Sequence, residues 1–439
     1  MLAFARRPSQ AAAVSAEIRG VVAWEGHHAA AMKRFLIAFL LLPALALPAL
    51  GADWPQLRGP NRDGKSPETG LLPSWPEGGP RRVTTLEGVG EGFSSPTVAG
   101  GKVFVTGRVK DDTQVVCFNP DGERLWQVVC GPAFTGMWPG SRSTPTFDDG
   151  RLYVLTGKGR LAALAAADGR HLWSIDLLKW FRAKLPMYGV AESVLVAGDL
   201  LVCLPGAPEA FAVALDKKTG RTVWTAKGIK GPIGYASAIV ADHGGVRQII
   251  ALTNKGLVGL AVADGTLLWQ HTEGFGGFMA ENVLTPIFAG GIVFGDGGHY
   301  GGGAAVRLGV QGSEVVPTLA WKKSAGSTHL GGYVERDGYL YGETGRGWSC
   351  VELATGYVRY KTRAIRRPAT LWADGRFYCL GERGTMYLVE ADPTAHRVVG
   401  AFKIPNAGSQ TWAYPAIAGG RLLIRRLDKV HVYDIAARR

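Results

Sequence analysis

Short apolar runs separated by glycine-containing pairs recur along most of the chain. In SPTVAGGKVFVTG (residues 95–107) a Gly-Gly pair lies between two apolar runs, and TPTFDDGRLYVLTG (residues 144–157) repeats the pattern with Asp-Gly. Such pairs favour two-residue hairpin turns, because these turns need a positive φ at one or both central residues. The runs are rich in strand-forming residues and too short for helices. The pattern therefore predicts a series of antiparallel hairpins.

A tryptophan closes most repeats of this pattern. In ALDKKTGRTVW (residues 214–224) an apolar strand leads through a Thr-Gly turn into a last strand that carries the tryptophan, and a weaker copy, ELATGYVRY (residues 352–360), ends in tyrosine. A strand-only repeat of about 45 residues is typical of propeller blades. The repeat tryptophans are Trp126, Trp173, Trp224, Trp269 and Trp321. We interpret them as structural, because a large ring on an outer strand can pack between neighbouring blades.

The repeats predict an all-β fold, an eight-bladed β-propeller of four-stranded antiparallel blades. Seven blades are expected from Ser95 to about Gly400, and residues 412–435 supply only three further strands. The missing strand is expected from residues 81–86, which would join the two chain ends in the last blade and leave no exposed sheet edge. The first hairpin of blade 4, AIVADHGGVRQIIALTN, is degenerate, so seven or nine blades remain alternatives. The propeller is expected over residues 81–439, after an N-terminal segment at 53–80.

The residues before this segment have the pattern of a secretory signal. Residues 32–52, MKRFLIAFLLLPALALPALGA, combine two cations, an uncharged apolar stretch and small residues at the end. Residues 1–31 are expected to be a disordered upstream extension. A retained membrane anchor is the alternative, although two prolines and a modest length speak against it. A periplasmic or secreted protein is expected, with no integral membrane segment after cleavage of the signal.

Charge and cysteine content limit the kinds of function that the sequence predicts. The 439 residues carry a net charge of +13, scattered apart from small arginine groups such as Arg425 and Arg426. No nucleic-acid module is predicted. Cys117 and Cys130 flank one hairpin, and the expected register places Cys117 opposite Trp126 and Cys130 opposite Thr113, so we expect no disulfide between them. CxxCH is absent, so no attached haem domain is predicted.

These repeats resemble those of secreted bacterial pyrroloquinoline-quinone (PQQ)-like propeller proteins. The resemblance extends from Asp53 to Arg439 and includes DWPQLRGPNRDGKSPETGLL (residues 53–72) and ADGRFYCLGERGTMYLVEA (residues 373–391). In that family the repeat docks tryptophans and does not itself show cofactor binding. Related quinoprotein alcohol dehydrogenases hold PQQ and calcium and use an adjacent cysteine pair, which this chain lacks. The related assembly lipoprotein of the outer membrane carries a lipobox cysteine, which is also absent here.

Loops that enter the innermost strands ring the channel mouth of a propeller, and function is expected there. They offer aromatic and polar side chains that suit a planar anion or a sugar. Three of the polar residues (Glu192, Glu281 and Asn282) are weak candidates for calcium ligands; otherwise no metal site is predicted. Alternatively, these residues fill the funnel by packing and hydrogen bonding. The candidates are Phe93, Ser94, Trp138, Arg142, Tyr188, Glu192, Tyr235, Phe278, Glu281, Asn282, His329, Gln410 and Trp412.

The sequence therefore favours a periplasmic or secreted binding or scaffold module with protein or carbohydrate partners at the channel mouth. The alternative is a PQQ- and calcium-dependent alcohol or sugar dehydrogenase. Enzyme activity is left open, with the non-enzymatic interpretation favoured because the adjacent cysteine pair is missing. No catalytic residue is assigned.

Overall fold

The structure is a computed structural model that describes residues 52–231, 233–276, 281–298, 301–323, 331–344, 347–408 and 410–437. Its strands form eight four-stranded antiparallel sheets. Innermost strands of neighbouring sheets contact one another around a ring. The prediction of an eight-bladed propeller is therefore confirmed.

Blades 1 to 4 each run from an inner strand outward in chain order. Blade 1 contains β2 (Thr97–Ala99), β3 (Lys102–Val109), β4 (Asp112–Phe118) and β5 (Arg124–Pro132). Blade 2 contains β6 (Thr146–Asp148), β7 (Arg151–Leu155), β8 (Arg160–Ala165) and β9 (His171–Asp176). Blade 3 contains β10 (Leu195–Ala197), β11 (Leu200–Cys203), β12 (Ala212–Asp216) and β13 (Thr222–Ala226). Blade 4 contains β14 (Ile239–His243), β15 (Val246–Thr253), β16 (Gly256–Ala261) and β17 (Leu267–His271).

Blades 5 to 7 repeat this order, and blade 8 completes the ring. Blade 5 contains β18 (Ile287–Ala289), β19 (Ile292–Asp296), β20 (Gly303–Gln311) and β21 (Glu314–Lys323). Blade 6 contains β22 (Tyr333–Arg336), β23 (Tyr339–Thr344), β24 (Gly347–Glu352) and β25 (Val358–Thr362). Blade 7 contains β26 (Ala369–Ala373), β27 (Arg376–Leu380), β28 (Thr385–Glu390) and β29 (Val398–Lys403). Blade 8 contains β30 (Ala416–Ala418), β31 (Arg421–Arg426), β32 (Lys429–Asp434) and β1 (Arg82–Leu86).

The N-terminal strand closes blade 8 as the sequence predicts. β1 pairs antiparallel with β32, with Arg82 opposite Tyr433 and Leu86 opposite Val430. Leu86 is fully buried in a core shared by blades 1, 7 and 8. The pairing covers the outer edge of β32, so the last blade has its full set of four strands.

Hairpin turns have the backbone geometry that their sequences require. Gly100 and Gly101 have φ values of 56° and 69°, and Asp149 and Gly150 have 46° and 71°. The degenerate hairpin of blade 4 turns at Gly244 in the same way, and β14 pairs with β15 along its whole length. The irregular sequence of this hairpin therefore does not alter the number of blades.

The repeat tryptophans contact the next blade around the ring. Trp173 packs against Gly220, where an added Cβ would lie 2.7 Å from the indole, and its Nε1 donates to the Lys217 carbonyl at 3.2 Å. Trp224 packs against Gly265 in the same way. Trp269 instead donates to Gln248 Oε1 at 2.6 Å within its own blade. The contacts of Trp173 and Trp224 join their outer strands to a turn of the next blade.

Cysteine positions follow the expected register at one residue and depart from it at another. Cys117 lies opposite Trp126 as predicted. A β-bulge between Thr113 and Gln114 places Gly131, not Cys130, opposite Thr113, so that part of the prediction was wrong by one residue. All five cysteines are buried and free.

The one described α-helix, α1 (Leu177–Trp180), lies between blades 2 and 3. Asp176 caps it by accepting a hydrogen bond from the Lys179 N–H at 3.0 Å. Within the described part of the chain, no helix has the length and apolar character needed to cross a bilayer.

Candidate functional site: an aromatic pocket at the channel mouth

Two sets of loops share one face of the ring, here called the upper face. The connections from each outermost strand to the next innermost strand lie there, as do the turns between the second and third strands of each blade. At the centre of this face is a cavity of about 510 Å³. Six of its sixteen lining residues are aromatic, one is an arginine and one is a glutamate. The aromatic and charged lining residues are Phe93, Trp138, Tyr188, Tyr235, Trp412, Tyr414, Arg142 and Glu281.

The aromatic rings support one another in two groups. The Trp412 ring lies 5.0 Å from Phe93 and 5.3 Å from Trp138, measured between ring centroids. In the other group, Tyr188 and Tyr235 have centroids 5.7 Å apart. The backbone N–H of Tyr188 donates to the Tyr235 hydroxyl at 3.3 Å. Loops from blades that are distant in sequence are thereby held in a fixed arrangement around the cavity.

Arg142 places a positive charge in the wall. Its guanidinium donates to the carbonyls of Gly140 at 3.1 Å and Met137 at 3.0 Å, and it lies 5.1 Å from the centroid of Phe134. Burial lowers the pKa of Arg142 to about 10, so the side chain remains cationic at neutral pH. Within the described residues, no carboxylate oxygen lies within 4.0 Å of its nitrogens. Among the described residues the arginine donates hydrogen bonds only to carbonyl groups, and it keeps its charge available to an anion.

Glu281 places a negative charge elsewhere in the wall. Burial, followed by the charge of Glu281 and a hydrogen bond to it, raises the pKa of Tyr188. The Tyr188 hydroxyl therefore stays protonated at neutral pH beside the Glu281 side chain. The pocket combines a cation and an anion with six aromatic side chains.

A ladder of hydroxyl groups lines the deeper part of the pocket. The Ser95 N–H donates to Thr144 Oγ1 at 3.0 Å, and the Thr144 N–H donates to Ser193 Oγ at 2.9 Å. The Ser193 N–H then donates to Ser237 Oγ at 2.8 Å. Each hydroxyl satisfies the first amide of the preceding blade, which fixes the spacing of the inner strands. These residues were not predicted, although Ser95 and Thr144 each precede a proline just before an inner strand and offered a signal.

The floor of the pocket is formed by the N-terminal segment. Leu57 lines the cavity, and Arg62 behind it is 2% exposed. The Arg62 guanidinium donates to the carbonyls of Ser193 at 2.9 Å and Ala238 at 3.0 Å, and also to that of Val194. Burial lowers the pKa of Arg62 to about 10. The segment thus binds the inner ends of blades 3 and 4 through one charged side chain.

The same segment continues across the lower side of the ring. The Ser66 N–H donates to the Trp372 carbonyl at 2.8 Å, and Lys65 Nζ lies 2.9 Å from Glu335 Oε2. Glu68 accepts hydrogen bonds from the N–H groups of Gly419 and Gly420 in blade 8. Residues 53–72 therefore plug the channel, and the pocket opens on the upper face. This role of the segment was not predicted from the sequence.

The structure places some of the predicted site residues in the pocket lining and others outside it. Phe93, Trp138, Arg142, Tyr188, Tyr235, Glu281 and Trp412 line the pocket. Ser94, Glu192 and Asn282 are buried behind its wall, and Gln410 lies outside the lining as well. Phe278 and His329 lie outside the described residues.

The buried candidates contact the protein backbone. Glu192 Oε1 accepts the Leu204 N–H at 2.8 Å. Burial is the main reason why the pKa of Glu192 is raised to about 7. The Asn282 side-chain amide donates to the Thr253 carbonyl, and Ser94 accepts from the guanidinium of Arg425.

These contacts bear on whether the site suits PQQ and calcium. Calcium takes six to eight oxygen ligands, commonly ionised carboxylates. Among the described residues no three His, Cys, Asp or Glu side chains are close enough together to hold a metal. Glu192 accepts a hydrogen bond from a backbone amide, and its raised pKa of about 7 weakens its preference for the ionised form. Within the described residues, the cluster of carboxylates that calcium commonly uses is therefore not present.

Comparisons with known proteins agree with this fold. A model of the family described as outer membrane protein assembly factor BamB matches residues 111–394. Over 213 residues, 45% of this chain and 31% of the relative, the chain is 27% identical to quinoprotein alcohol dehydrogenase PedH of Pseudomonas putida. Over 179 residues, 38% of this chain and 43% of the relative, it is 28% identical to outer membrane protein assembly factor BamB of Alkalilimnicola ehrlichii. The matches span less than half the length of either relative.

The quinohemoprotein alcohol dehydrogenase from Comamonas testosteroni is a similar solved structure. It has a TM-score of 0.66 and 11% identity, covering 88% of this chain and 81% of that one. Identity this low shows a shared fold alone. The family model, in contrast, covers well over half of the chain, and the chain therefore belongs to the PQQ-repeat propeller family described as outer membrane protein assembly factor BamB.

Proposed function

We propose that this protein is a binding or scaffold module that works outside the cytoplasm and holds a protein partner at the pocket on its upper face. The observation that carries the proposal is the aromatic pocket itself, which contains an arginine whose hydrogen bonds among the described residues go only to carbonyl groups. Such a pocket suits an apolar or aromatic side chain with a carboxylate nearby. The partner would supply these groups from a protruding segment.

The rim of the pocket supports a protein partner. Trp138 is 48% exposed although its ring also lines the cavity, and the neighbouring Met137 is 56% exposed. Tryptophan, methionine and arginine are enriched in protein interfaces, and buried aromatic anchors contribute much of their binding energy. A relative named as an outer membrane protein assembly factor is consistent with a scaffold role in the cell envelope.

Site-directed photocrosslinking in intact cells tests this proposal. A photoreactive residue at Trp138 should form a discrete protein adduct, whereas the same residue at Val223, which is 52% exposed on an outer strand, should not. Arg142→Gln should reduce the adduct at position 138 without changing the amount of folded protein. Equal adducts at both positions, or an adduct insensitive to Arg142→Gln, would count against the pocket as the partner site.

A second candidate is a PQQ- and calcium-dependent dehydrogenase. The similarity to quinoprotein alcohol dehydrogenase PedH and the volume and aromatic wall of the pocket favour it. If PQQ were bound, it would supply a quinone that accepts hydride or electrons, and Arg142 would be the residue placed to bind one of its carboxylates. The described residues contain no cluster of carboxylates for the accompanying calcium ion, and we therefore place the binding module first.

A further inference from the structure

A projecting segment at the edge of the pocket exposes apolar and basic side chains together. Residues 177–191, LLKWFRAKLPMYGVA, contain α1 and the loop that enters blade 3. Trp180 is 69% exposed, Met187 is 68% exposed and Leu185 is 47% exposed. These are among the most exposed large apolar side chains of the described residues, and they occur within one short connection.

The segment is held firmly on the ring. Leu177 donates its N–H to the Gly159 carbonyl at 2.8 Å, and Leu178 packs on the same glycine, where an added Cβ would lie 2.4 Å away. At the other end, the Val190 N–H donates to the Gly157 carbonyl at 2.9 Å. The exposed residues between these anchors are therefore presented on a fixed platform.

The charge of this platform has one sign. Lys179, Arg182 and Lys184 are exposed, and residues 177–191 contain no aspartate or glutamate. Lys158, in the turn to which the segment is anchored, adds a fourth exposed cation. Among the described residues, no carboxylate oxygen lies within 4.0 Å of these four side-chain cations. Their charge is directed to solvent.

We propose that this platform, defined as Lys158 with residues 177–188, docks on the surface of an anionic phospholipid bilayer. Tryptophan and leucine interleaved with lysine and arginine suit the bilayer interface, where apolar side chains enter the headgroup region and cations meet anionic lipids. Because Tyr188 belongs to both the platform and the pocket wall, docking turns the mouth of the pocket toward the membrane surface.

The composition of the platform favours a bilayer over a protein partner. Lysine is depleted in protein interfaces, whereas three of the four cations here are lysines. The lysines alternate with the exposed apolar residues instead of forming a rim around them. A flexible lipid surface can satisfy such a mixed pattern without matching its shape.

Vesicle co-sedimentation of the protein from Ala52 to Arg439, which contains all eight blades, tests this inference. The protein should bind vesicles of phosphatidylethanolamine with phosphatidylglycerol, and it should bind phosphatidylcholine vesicles only weakly. At high salt, binding to the anionic vesicles should fall to the level seen with phosphatidylcholine. The triple change K179E/R182E/K184E should lower the partition coefficient about 100-fold, since each basic residue near an anionic surface contributes appreciably. W180S/M187S should weaken binding at every salt concentration.

Matched variants control for net charge and exposed apolar area. R170E/K218E/R221E makes the same charge change in turns on the lower face, and V223S/V358S removes exposed valines from outer strands. Both should bind vesicles like the unchanged protein. The inference is overturned if the unchanged protein fails to bind anionic vesicles, or if platform and control variants lose binding equally. It is also overturned if a photoreactive residue at Trp180 traps a protein instead of lipid.

Discussion

Buried arginines connect segments that are far apart in the chain. Arg425 donates to the carbonyls of Ser94 at 3.2 Å and Thr106 at 2.7 Å, and thereby links blade 8 to blade 1. Arg62 does the same for the N-terminal plug and blades 3 and 4. A guanidinium suits this role because its planar array of donors can satisfy several carbonyls at once.

Replacement of Arg62 tests how strongly the plug is held. Arg62→Met keeps the apolar stem but leaves the carbonyls of Ser193 and Ala238 without their donor, and it should destabilise the protein by about 2–4 kcal/mol. Arg170→Met, at an exposed turn, should change stability by less than about 0.5 kcal/mol. Urea denaturation of both variants measures the difference. Equal midpoints would show that Arg62 does not anchor the plug.

The raised pKa of Glu192 makes the folded protein less stable as the pH rises. Burial raises the pKa of Glu192 to about 7 from a reference of 4.5. Between these values the folded protein retains a proton that the unfolded chain has released, so this group lowers stability as the pH rises from 4.5 to 7. Glu192→Gln removes the effect. Its stability relative to the unchanged protein should increase across that window, by at most about 3 kcal/mol.

Thermal melts of both proteins from pH 4 to pH 8 measure this difference. The control is Glu209→Gln, because the Glu209 side chain is 85% exposed. A difference between the Glu192→Gln variant and the unchanged protein that stays constant with pH would contradict the assignment.

At the scale of elements, the contact between an outer-strand tryptophan and the next turn repeats around much of the ring. Gly169, Gly220, Gly265 and Gly356 all have positive φ, and each lies against the tryptophan of the preceding blade. A side chain at these positions is opposed both by the backbone conformation and by the indole. The glycine and the tryptophan of the repeat thus contact each other across neighbouring blades.

Two glycine substitutions separate these effects. Gly198→Ala changes a residue with φ of 66° and nothing within 4 Å of the added Cβ, so it should cost only about 1–2 kcal/mol of backbone strain. Gly220→Ala adds a clash with Trp173 and should cost about 1–3 kcal/mol more. Urea midpoints measure both variants. If Gly198→Ala were as destabilising as Gly220→Ala, the indole contact would contribute little.

Local patterns predict the elements well, because hairpin turns and strand alternation depend on neighbouring residues. The Gly-Gly and Asp-Gly turns, the closure by β1 and the pairing of Cys117 with Trp126 were all predictable. The bulge at Thr113 was not, since an extra residue in one strand leaves no distinct pattern. The path of residues 53–72 was also missed, because its contacts are made with carbonyls of distant blades.

The site, like the fold, could be predicted only where it depends on local sequence patterns and the topology of the repeat. Aromatic residues in the loops that enter inner strands were expected at the channel mouth because of propeller topology, and the structure places Phe93, Trp138 and Trp412 there. The orientation of Glu192 and Asn282 away from the cavity depends on the backbone groups of Leu204 and Thr253. No spacing in the sequence indicates those contacts.

At the scale of the whole molecule, a closed ring and a plugged channel leave the aromatic pocket open to the upper face. The ring is completed by β1, and the plug supplies the floor through Leu57 and Arg62. Ligands therefore enter and leave from the same side, which also presents the exposed platform with Trp180. This arrangement suits a module that holds partners and provides no passage through the ring.

The most direct test of this account is a titration of residues 52–439 with PQQ and calcium, followed by absorbance and thermal unfolding. We expect no stoichiometric binding and an unchanged melting temperature, because the described residues contain no cluster of three acidic, histidine or cysteine side chains that could hold the calcium ion. A saturating complex of one quinone per chain, with a melting temperature that rises with ligand concentration, would contradict it and establish the protein as a quinone-binding propeller.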